Sequence, residues 1–278
     1  MSRLHYVSFP SLHADPLTIS ARLQTPDGPG PHPAVVLLHG DEGPGHGEAA
    51  HADRLNAAGF LTLEPDMWSP RARAGSHPPC SVHERLPDLF GARRFLADRA
   101  DTDSGAIGVL GFGSGGAAAL LAATRMIDQA FPADGGFSAF LAFYPVCHRF
   151  NRTPGFELAD LVHAPILIAT AALDDYDDDR AAGPSLAAGL GAMDRTKVRT
   201  AVFYGVGHGF DRPSPDRTLE DPMAHQGRGG QVRLHHDLEA AGRARDLSVL
   251  FFSEMRESRR RERPVRPRSA AFQAWNAS

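Results

Sequence analysis

Apolar and polar positions follow one another along the chain in a pattern of short buried strands and longer amphipathic helices. Continuous apolar runs suit strands that are covered on both faces of a parallel sheet. Strand-like runs lie at residues 4–9, 17–23, 34–38, 60–63, 106–110, 137–144, 165–170 and 198–204. Helix-like stretches lie at residues 48–58, 82–99, 115–128, 179–193 and 232–255. This order predicts an α/β fold with a mostly parallel central sheet and helices on both faces.

The composition indicates one folded domain followed by a segment of different character. The chain has 278 residues, of which 42% are apolar and 22% charged, and these values exclude wholesale disorder. Residues 257–278 are rich in Arg and Pro and have no apolar periodicity. We therefore expect a single domain over residues 1–256 and a basic, disordered tail over residues 257–278.

Charge and hydropathy narrow the kind of partner. The formal net charge is −4 and the tail contributes +4, so residues 1–256 carry −8, which argues against nucleic acid. No apolar run is long enough to cross a membrane, and the first residues lack the apolar stretch of a signal peptide. The two cysteines, Cys80 and Cys147, fit a reducing compartment. We expect a cytoplasmic protein that acts on a small molecule, with its oligomeric state left open.

The strongest candidate for a nucleophile is Ser114, in the segment Gly-Phe-Gly-Ser-Gly-Gly at residues 111–116. The segment follows a predicted strand and opens a predicted helix, the context in which a serine hydrolase holds its nucleophile. We expect Ser114 at the tip of this turn in a strained backbone conformation, with small glycines on either side. The segment also matches a dinucleotide-binding pattern, Gly-x-Gly-x-x-Gly, but its strand is not the first of the chain, so we favour the nucleophile.

A serine needs a general base, and the base needs a carboxylate to orient it. In α/β hydrolases these three residues follow in the order serine, acid, histidine. Asp174 and Asp175 follow the strand predicted at residues 165–170, and His208 follows the strand predicted at 198–204 in a glycine-flanked loop. We predict a triad of Ser114, Asp174 and His208, with Asp175 kept as the alternative acid.

Acyl transfer also needs backbone donors for the developing oxyanion. We expect the N–H groups of Gly115 and of Asp41, in the loop after the strand at 34–38, to supply them. The carboxylates of Asp41 and Glu42 would disfavour an anionic substrate unless arginines compensate, for which Arg71, Arg73 and Arg149 are placed in suitable loops. Two aromatic residues beside the predicted site are candidates for the substrate pocket, although core packing explains them equally well: Trp68 and Phe210.

These motifs together resemble the α/β-hydrolase fold, and within it the dienelactone hydrolase family, over roughly residues 17–255. The resemblance rests on Leu-Leu-His-Gly at 37–40, Ala-Gly-Phe-Leu-Thr-Leu-Glu-Pro-Asp-Met-Trp at 58–68, residues 111–116, Phe-Tyr-Pro at 143–145, residues 171–175 and Gly-His-Gly-Phe at 207–210. It implies hydrolysis of small esters or lactones through an acyl-enzyme, without metal or organic cofactor. The founding members use cysteine as the nucleophile, so the chain resembles a serine-nucleophile variant.

Two other classes of function stay open at this point. A non-catalytic small-molecule binding protein on the same fold is possible because a fold does not determine function. A metal-dependent hydrolase is less favoured, since no His-Glu-x-x-His motif occurs and His46 and His51 are five residues apart.

Overall fold

A computed structural model describes residues 3–72, 80–131 and 135–262 of the protein. These residues form ten strands and eight α-helices, with three short 3-10 turns between them. The strands are β1 (Arg3–Pro10), β2 (Thr18–Thr25), β3 (His32–Leu38), β4 (Leu61–Asp66), β5 (Thr102–Phe112), β6 (Ala139–Phe143), β7 (Ile166–Ala171), β8 (Val198–Phe203), β9 (Arg217–Asp221) and β10 (Gly230–Leu234). The helices are α1 (His46–Ala57), α2 (Leu86–Ala97), α3 (Ser114–Ala122), α4 (Arg125–Ala130), α5 (Ala182–Ala188), α6 (Ala192–Arg195), α7 (Ala224–Gly227) and α8 (Leu238–Glu262).

Eight of the strands form one sheet in the order β1-β2-β4-β3-β5-β6-β7-β8. The pairs from β4 through β3 to β8 are parallel, whereas β1 and β2 add an antiparallel edge. Because the parallel strands run in one direction, the loops after β3, β5, β7 and β8 meet at one edge of the sheet. In sheets of this kind, ligands bind at that edge.

Helices cover both faces of the sheet, as the continuous apolar strands predict. In β3, Val36 and Leu38 point into a core that is shared with α2 and α3. Val35 and Leu37 point the other way, into a core that is shared with α1 and α8. Successive side chains of a strand alternate between faces, so an unbroken apolar run requires two apolar layers around it. The predicted α/β architecture is therefore confirmed.

The structure corrects the prediction of a helix over residues 232–255. Residues 217–221 and 230–234 pair as an antiparallel hairpin, β9–β10, and the helix begins only at Leu238. The helix predicted at 115–128 is two helices, because the Thr124 side chain caps a new start by accepting the backbone N–H of Ile127. Helix α8 continues to Glu262, past the boundary predicted at residue 257, and residues 263–278 lie outside the described part.

Within the described residues, no helix is both long and apolar enough to cross a membrane.

Candidate active site

The turn between β5 and α3 is centred on Gly113. Gly113 has φ 53° and ψ −119°, a positive φ that favours glycine, whereas Ser114 is already the first residue of α3. A Cβ atom on Gly111 would lie 2.1 Å from the carbonyl oxygen of Gly115, and a Cβ atom on Gly115 would lie 2.3 Å from the carbonyl oxygen of Leu38, so neither position has room for a side chain. These two glycines stand two residues before and two residues after Gly113.

The expectation that Ser114 forms the tip of the turn is wrong, because the residue with the positive φ is Gly113. Counting Gly-x-Ser-x-Gly from Gly111 places glycine at its third position, and this spacing is the signal that could have revealed it.

The Ser114 side chain is bound to the loop after β3. Its Oγ donates a hydrogen bond of 2.6 Å to Oδ1 of Asp41. The same oxygen accepts a hydrogen bond of 2.8 Å from Nη2 of Arg85, whose side chain is fully buried. Among the described residues, no hydrogen bond joins Ser114 to His208. Ser114 and His208 line one pocket, but Ser114 points its proton at a carboxylate rather than at the imidazole.

His208 and Asp174 form the hydrogen-bonded pair that the sequence predicts. Nδ1 of His208 lies 2.9 Å from Oδ2 of Asp174, at the carboxyl ends of β8 and β7. Burial alone would lower the pKa of His208, but the carboxylates of Asp174, Asp177 and Asp41, with Asp174 foremost, together raise that pKa above its ordinary value of 6.5. Asp175 turns away and accepts hydrogen bonds from Arg233 instead, which also hold the pKa of Asp175 below its usual range despite burial.

The other ring nitrogen of His208 faces the turn. A Cβ atom on Gly113 would lie 3.4 Å from Nε2 of His208, so the imidazole is directed at position 113. Two tyrosine rings pack against the imidazole, Tyr144 with a centroid distance of 4.7 Å and Tyr176 with one of 4.6 Å. The hydroxyl of Tyr144 donates to buried Asp211, which anchors that ring beside the His208 imidazole. Neither tyrosine was expected beside His208: Tyr144 entered only as part of the Phe-Tyr-Pro motif at 143–145, and aromatic residues near a strand end are usually core.

The loop after β3 lies directly against the same turn. A Cβ atom on Gly115 would be 2.3 Å from the carbonyl oxygen of Leu38, so α3 starts in contact with the end of β3. Buried His39 holds the loop: its Nδ1 donates to the Gly40 carbonyl (2.8 Å), and its Nε2 accepts the Met67 N–H (3.2 Å). Burial, helped by nearby Arg85, lowers the pKa of His39 to about 4, so this ring is neutral at pH 7.

The first N–H groups of α3 have no partner inside the helix and are available to an anion. Asp41 and Ser114 line the pocket, whereas Gly115 lies beneath it, packed on β3. The structure therefore brings the two predicted oxyanion residues into neighbouring segments, with Ser114 between Gly115 and the cavity.

These segments enclose a pocket of about 280 Å³ at the carboxyl edge of the sheet. Its apolar lining includes Val146, Leu219 and Leu234, so the hairpin β9–β10, which the sequence did not predict, forms one wall.

The expectation that Trp68 and Phe210 line this pocket is wrong. Trp68 packs edge-on against His39, and Phe210 is fully buried beside Phe203, because both fill space behind the loops. Within the described ranges, no group of three or more His, Cys, Asp or Glu side chains is arranged to hold a metal ion.

Arginines neutralise the acidic loop, but they are mostly not the ones expected. Glu42 pairs with Arg212 at 3.3 Å and with Arg217, and Asp41 pairs with Arg85.

Of the three arginines that were expected, Arg71 binds Asp88 away from the pocket and Arg73 lies outside the described residues. Arg149 does line the pocket, with its guanidinium 3.8 Å from the ring centroid of Phe156.

Consecutive residues after Asp174 bind the hairpin to the site. Asp175 forms a two-pronged ion pair with Arg233 of β10, at 2.9 and 3.2 Å. The Tyr176 hydroxyl donates a hydrogen bond of 2.7 Å to Asp221 of β9. The backbone N–H of His225 also donates to the carbonyl of Asp175. The loop that contains Asp174 therefore also holds the hairpin in place.

Comparison with known proteins identifies the relatives of this fold. The sequence profile of the dienelactone hydrolase family matches residues 19–255. A dienelactone hydrolase from Anabaena variabilis shares 17% identity with a TM-score of 0.59, over 91% of this chain and 98% of that one. A putative dienelactone hydrolase from Klebsiella pneumoniae also shares 17%, with a TM-score of 0.62, over 90% and 99% of the two chains. Esterase 2 of Thermogutta terrifontis, in a structure phosphorylated by paraoxon, shares 16% with a TM-score of 0.58, over 91% and 94%.

No match was found among curated proteins. The family match covers most of the chain, and the solved structures share its α/β-hydrolase fold. The chain therefore belongs to the dienelactone hydrolase family, a family of carboxylic ester hydrolases.

Proposed function

We propose that the protein hydrolyses a small carboxylic ester or lactone and that His208, oriented by Asp174, is the general base. The observation that carries this proposal is the 2.9 Å hydrogen bond between the two residues in a pocket where Nε2 of His208 is directed at the β5–α3 turn. A neutral imidazole at that point can take a proton from an attacking oxygen and return it to the leaving alcohol. The pocket of about 280 Å³ suits a small substrate.

In the version predicted from the sequence, Ser114 is the attacking group and becomes acylated. Its Oγ must then leave Asp41 and turn towards Nε2 of His208 before it can lose its proton. A hydrogen bond to a charged acceptor contributes about 1.5–3 kcal/mol, so this step opposes attack by Ser114. The acyl-enzyme mechanism therefore depends on a rearrangement of the 2.6 Å contact.

The test compares the protein with His208→Gln on p-nitrophenyl acetate, p-nitrophenyl butyrate and a small lactone. We expect hydrolysis by the protein and a loss of at least about a hundredfold in kcat/KM in the variant, the size typical of a general base. Equal rates in the two proteins would refute the role of His208. His235→Gln serves as the matched control, because that side chain is 66% exposed and pairs with Asp216, and neither residue lines the pocket.

A second candidate function is small-molecule binding without turnover. It is favoured by one observation: the residue that faces Nε2 of His208 is Gly113, which has no side chain to act as a nucleophile. Calorimetry with the ester panel distinguishes the two, since binding heat without release of acid supports a binding protein.

A further inference from the structure

The position opposite the catalytic base holds glycine. Gly113 sits between β5 and α3 with a positive φ, flanked by Gly111 and Gly115, neither of which has room for a Cβ atom. In this fold the nucleophile stands at the tip of the strand-to-helix turn. Every steric feature of such a turn is present around Gly113, and only the reactive side chain is missing.

The distances to His208 assign the same position. A Cβ atom on Gly113 would be 3.4 Å from Nε2 of His208, so a hydroxyl one bond further out would lie within reach of a hydrogen bond. Ser114 is one residue too late. Its backbone is helical, and its Oγ is held at 2.6 Å by Asp41, which is itself paired with buried Arg85.

Gly113 and His208 both line the pocket, so Nε2 of His208 meets the cavity beside a residue without a side chain. Ser114 at the start of α3 and Asp41 of the β3 loop line the same pocket. A water molecule there has Nε2 of His208 as an acceptor for one of its protons. A site with several polar partners is one that water can occupy.

We infer that Gly113 occupies the nucleophile position of the fold and that a water molecule beside it, activated by His208, attacks the substrate directly. This inference rests on the proposed ester hydrolysis and identifies its nucleophile. No acyl-enzyme forms, and the Ser114 side chain is a structural link between α3 and the β3 loop.

The reaction proceeds in two proton transfers. Nε2 of His208 takes one proton from water while the water oxygen bonds to the carbonyl carbon, and the carbonyl oxygen becomes an oxyanion beside the start of α3. When the intermediate collapses, the bond to the leaving oxygen breaks and His208 returns its proton to that oxygen. One ester and one water give one acid and one alcohol.

The first test uses the native chain with paraoxon, which phosphorylates the Thermogutta esterase of similar fold. We expect no diethylphosphoryl adduct on the Ser114 peptide by mass spectrometry. With p-nitrophenyl acetate, Ser114→Ala should lower kcat/KM by less than about tenfold, whereas His208→Gln lowers it by at least about a hundredfold. An adduct on Ser114, or a loss in Ser114→Ala as large as that in His208→Gln, would overturn the inference.

The second test restores the missing side chain. Gly113→Ser should gain a diethylphosphoryl adduct at residue 113, and Gly113→Ser/His208→Gln should not, because the new hydroxyl depends on the base. Gly28→Ser is the matched control: it also replaces a glycine of positive φ, in open space away from the pocket, and should gain nothing. Circular dichroism checks that each variant is folded. The paraoxon test on the native chain does not depend on the Gly113 variants.

The two experiments separate this inference from the proposed function. If the native chain hydrolyses no ester but Gly113→Ser reacts with paraoxon, the proposed hydrolysis fails, and direct attack by water fails with it. If the native chain hydrolyses esters and Ser114 is labelled, the proposed function stands and only this inference fails.

Discussion

At the scale of single residues, the site depends on which atoms face His208. Asp174 holds Nδ1 at 2.9 Å, Tyr144 and Tyr176 cover the ring, and Nε2 is left directed at Gly113. Contacts at Nδ1 and with the two tyrosine rings therefore fix the orientation of the imidazole. In the proposed reaction, the group that meets Nε2 is the one whose proton is removed.

The raised pKa of His208 predicts how activity varies with pH. General-base catalysis needs the neutral ring, so kcat/KM falls as pH drops through the pKa of His208, which lies above 6.5 because of Asp174. Asp174→Asn removes that charge, so the acidic limb should move to lower pH while the maximal rate falls, by about 10⁴-fold if the loss matches that of the equivalent change in Ser-His-Asp triads. A pH profile of kcat/KM measures both effects. Asp175→Asn is the control, and an equal shift in that variant would contradict the assignment of Asp174.

The turn around Gly113 has no room for a side chain at Gly111, so a substitution there should destabilise the protein. Gly111→Ala places its Cβ 2.1 Å from the carbonyl oxygen of Gly115, so the turn must open, and we expect a loss of about 3 kcal/mol in the free energy of unfolding. Gly242→Ala is the opposite case, since it lies inside α8 with nothing within 4 Å. It should gain about 0.5–1 kcal/mol from helix propensity. Urea denaturation of both variants provides the measurement.

At the scale of secondary-structure elements, the hairpin β9–β10 is attached to the site chiefly by polar contacts. The residues after Asp174 hold it through Asp175–Arg233 and Tyr176–Asp221. The hairpin supplies Leu219 and Leu234 to the pocket wall. It is therefore an element whose position depends on surface pairs more than on the main core.

Release of the hairpin should be local. Arg233→Ala removes the guanidinium that binds Asp175, and we expect faster amide exchange in residues 217–234 with little change in β3, β5 and β6. Hydrogen–deuterium exchange with mass spectrometry measures this. Arg243→Ala breaks an exposed pair with Glu239 on α8 and should leave the hairpin unaffected. Uniform acceleration across the central sheet would mean that the hairpin belongs to the global folding unit.

At the scale of the whole molecule, two apolar layers enclose the sheet, and several polar groups are buried between them. His39 is 1% exposed at the end of β3, and His51 binds Asp211 at 2.9 Å with both side chains fully buried. A buried group whose pKa differs between the folded protein and the unfolded chain couples the stability of the fold to pH.

His39 makes the protein less stable in acid. Its pKa is about 4 in the folded protein and 6.5 in the unfolded chain, so below pH 6.5 the unfolded state binds a proton that the folded state does not. The contribution of His39 to the free energy of unfolding should fall progressively from pH 6.5 to about 4, by about 3 kcal/mol. Urea denaturation at several pH values should show a shallower loss for His39→Gln over this window. His235→Gln should follow the native chain, and an identical slope for His39→Gln would refute the assignment.

The residue pattern alone predicts the eight strands of the central sheet and the positions of Asp174 and His208 at its carboxyl edge. Unbroken apolar runs such as residues 34–38 require cover on both faces, and parallel strands bring their following loops to one edge. That reasoning placed His208 and Asp174 together. Family motifs spread over residues 17–255 pointed to the same fold, and the family match over residues 19–255 confirmed it.

Which neighbouring atoms meet depends on how segments that are distant in sequence pack together. A one-residue difference separates Gly113 from Ser114, and the backbone angles together with the approach of His208 distinguish them. Asp174 and Asp175 are alike in sequence, yet one faces the base and the other Arg233. Strands β9 and β10 were missed because a short exposed hairpin has little apolar periodicity and is held by side chains distant in sequence. Apolar periodicity indicates which side of one strand or helix is buried, whereas a contact between site residues depends on how several strands and helices pack together.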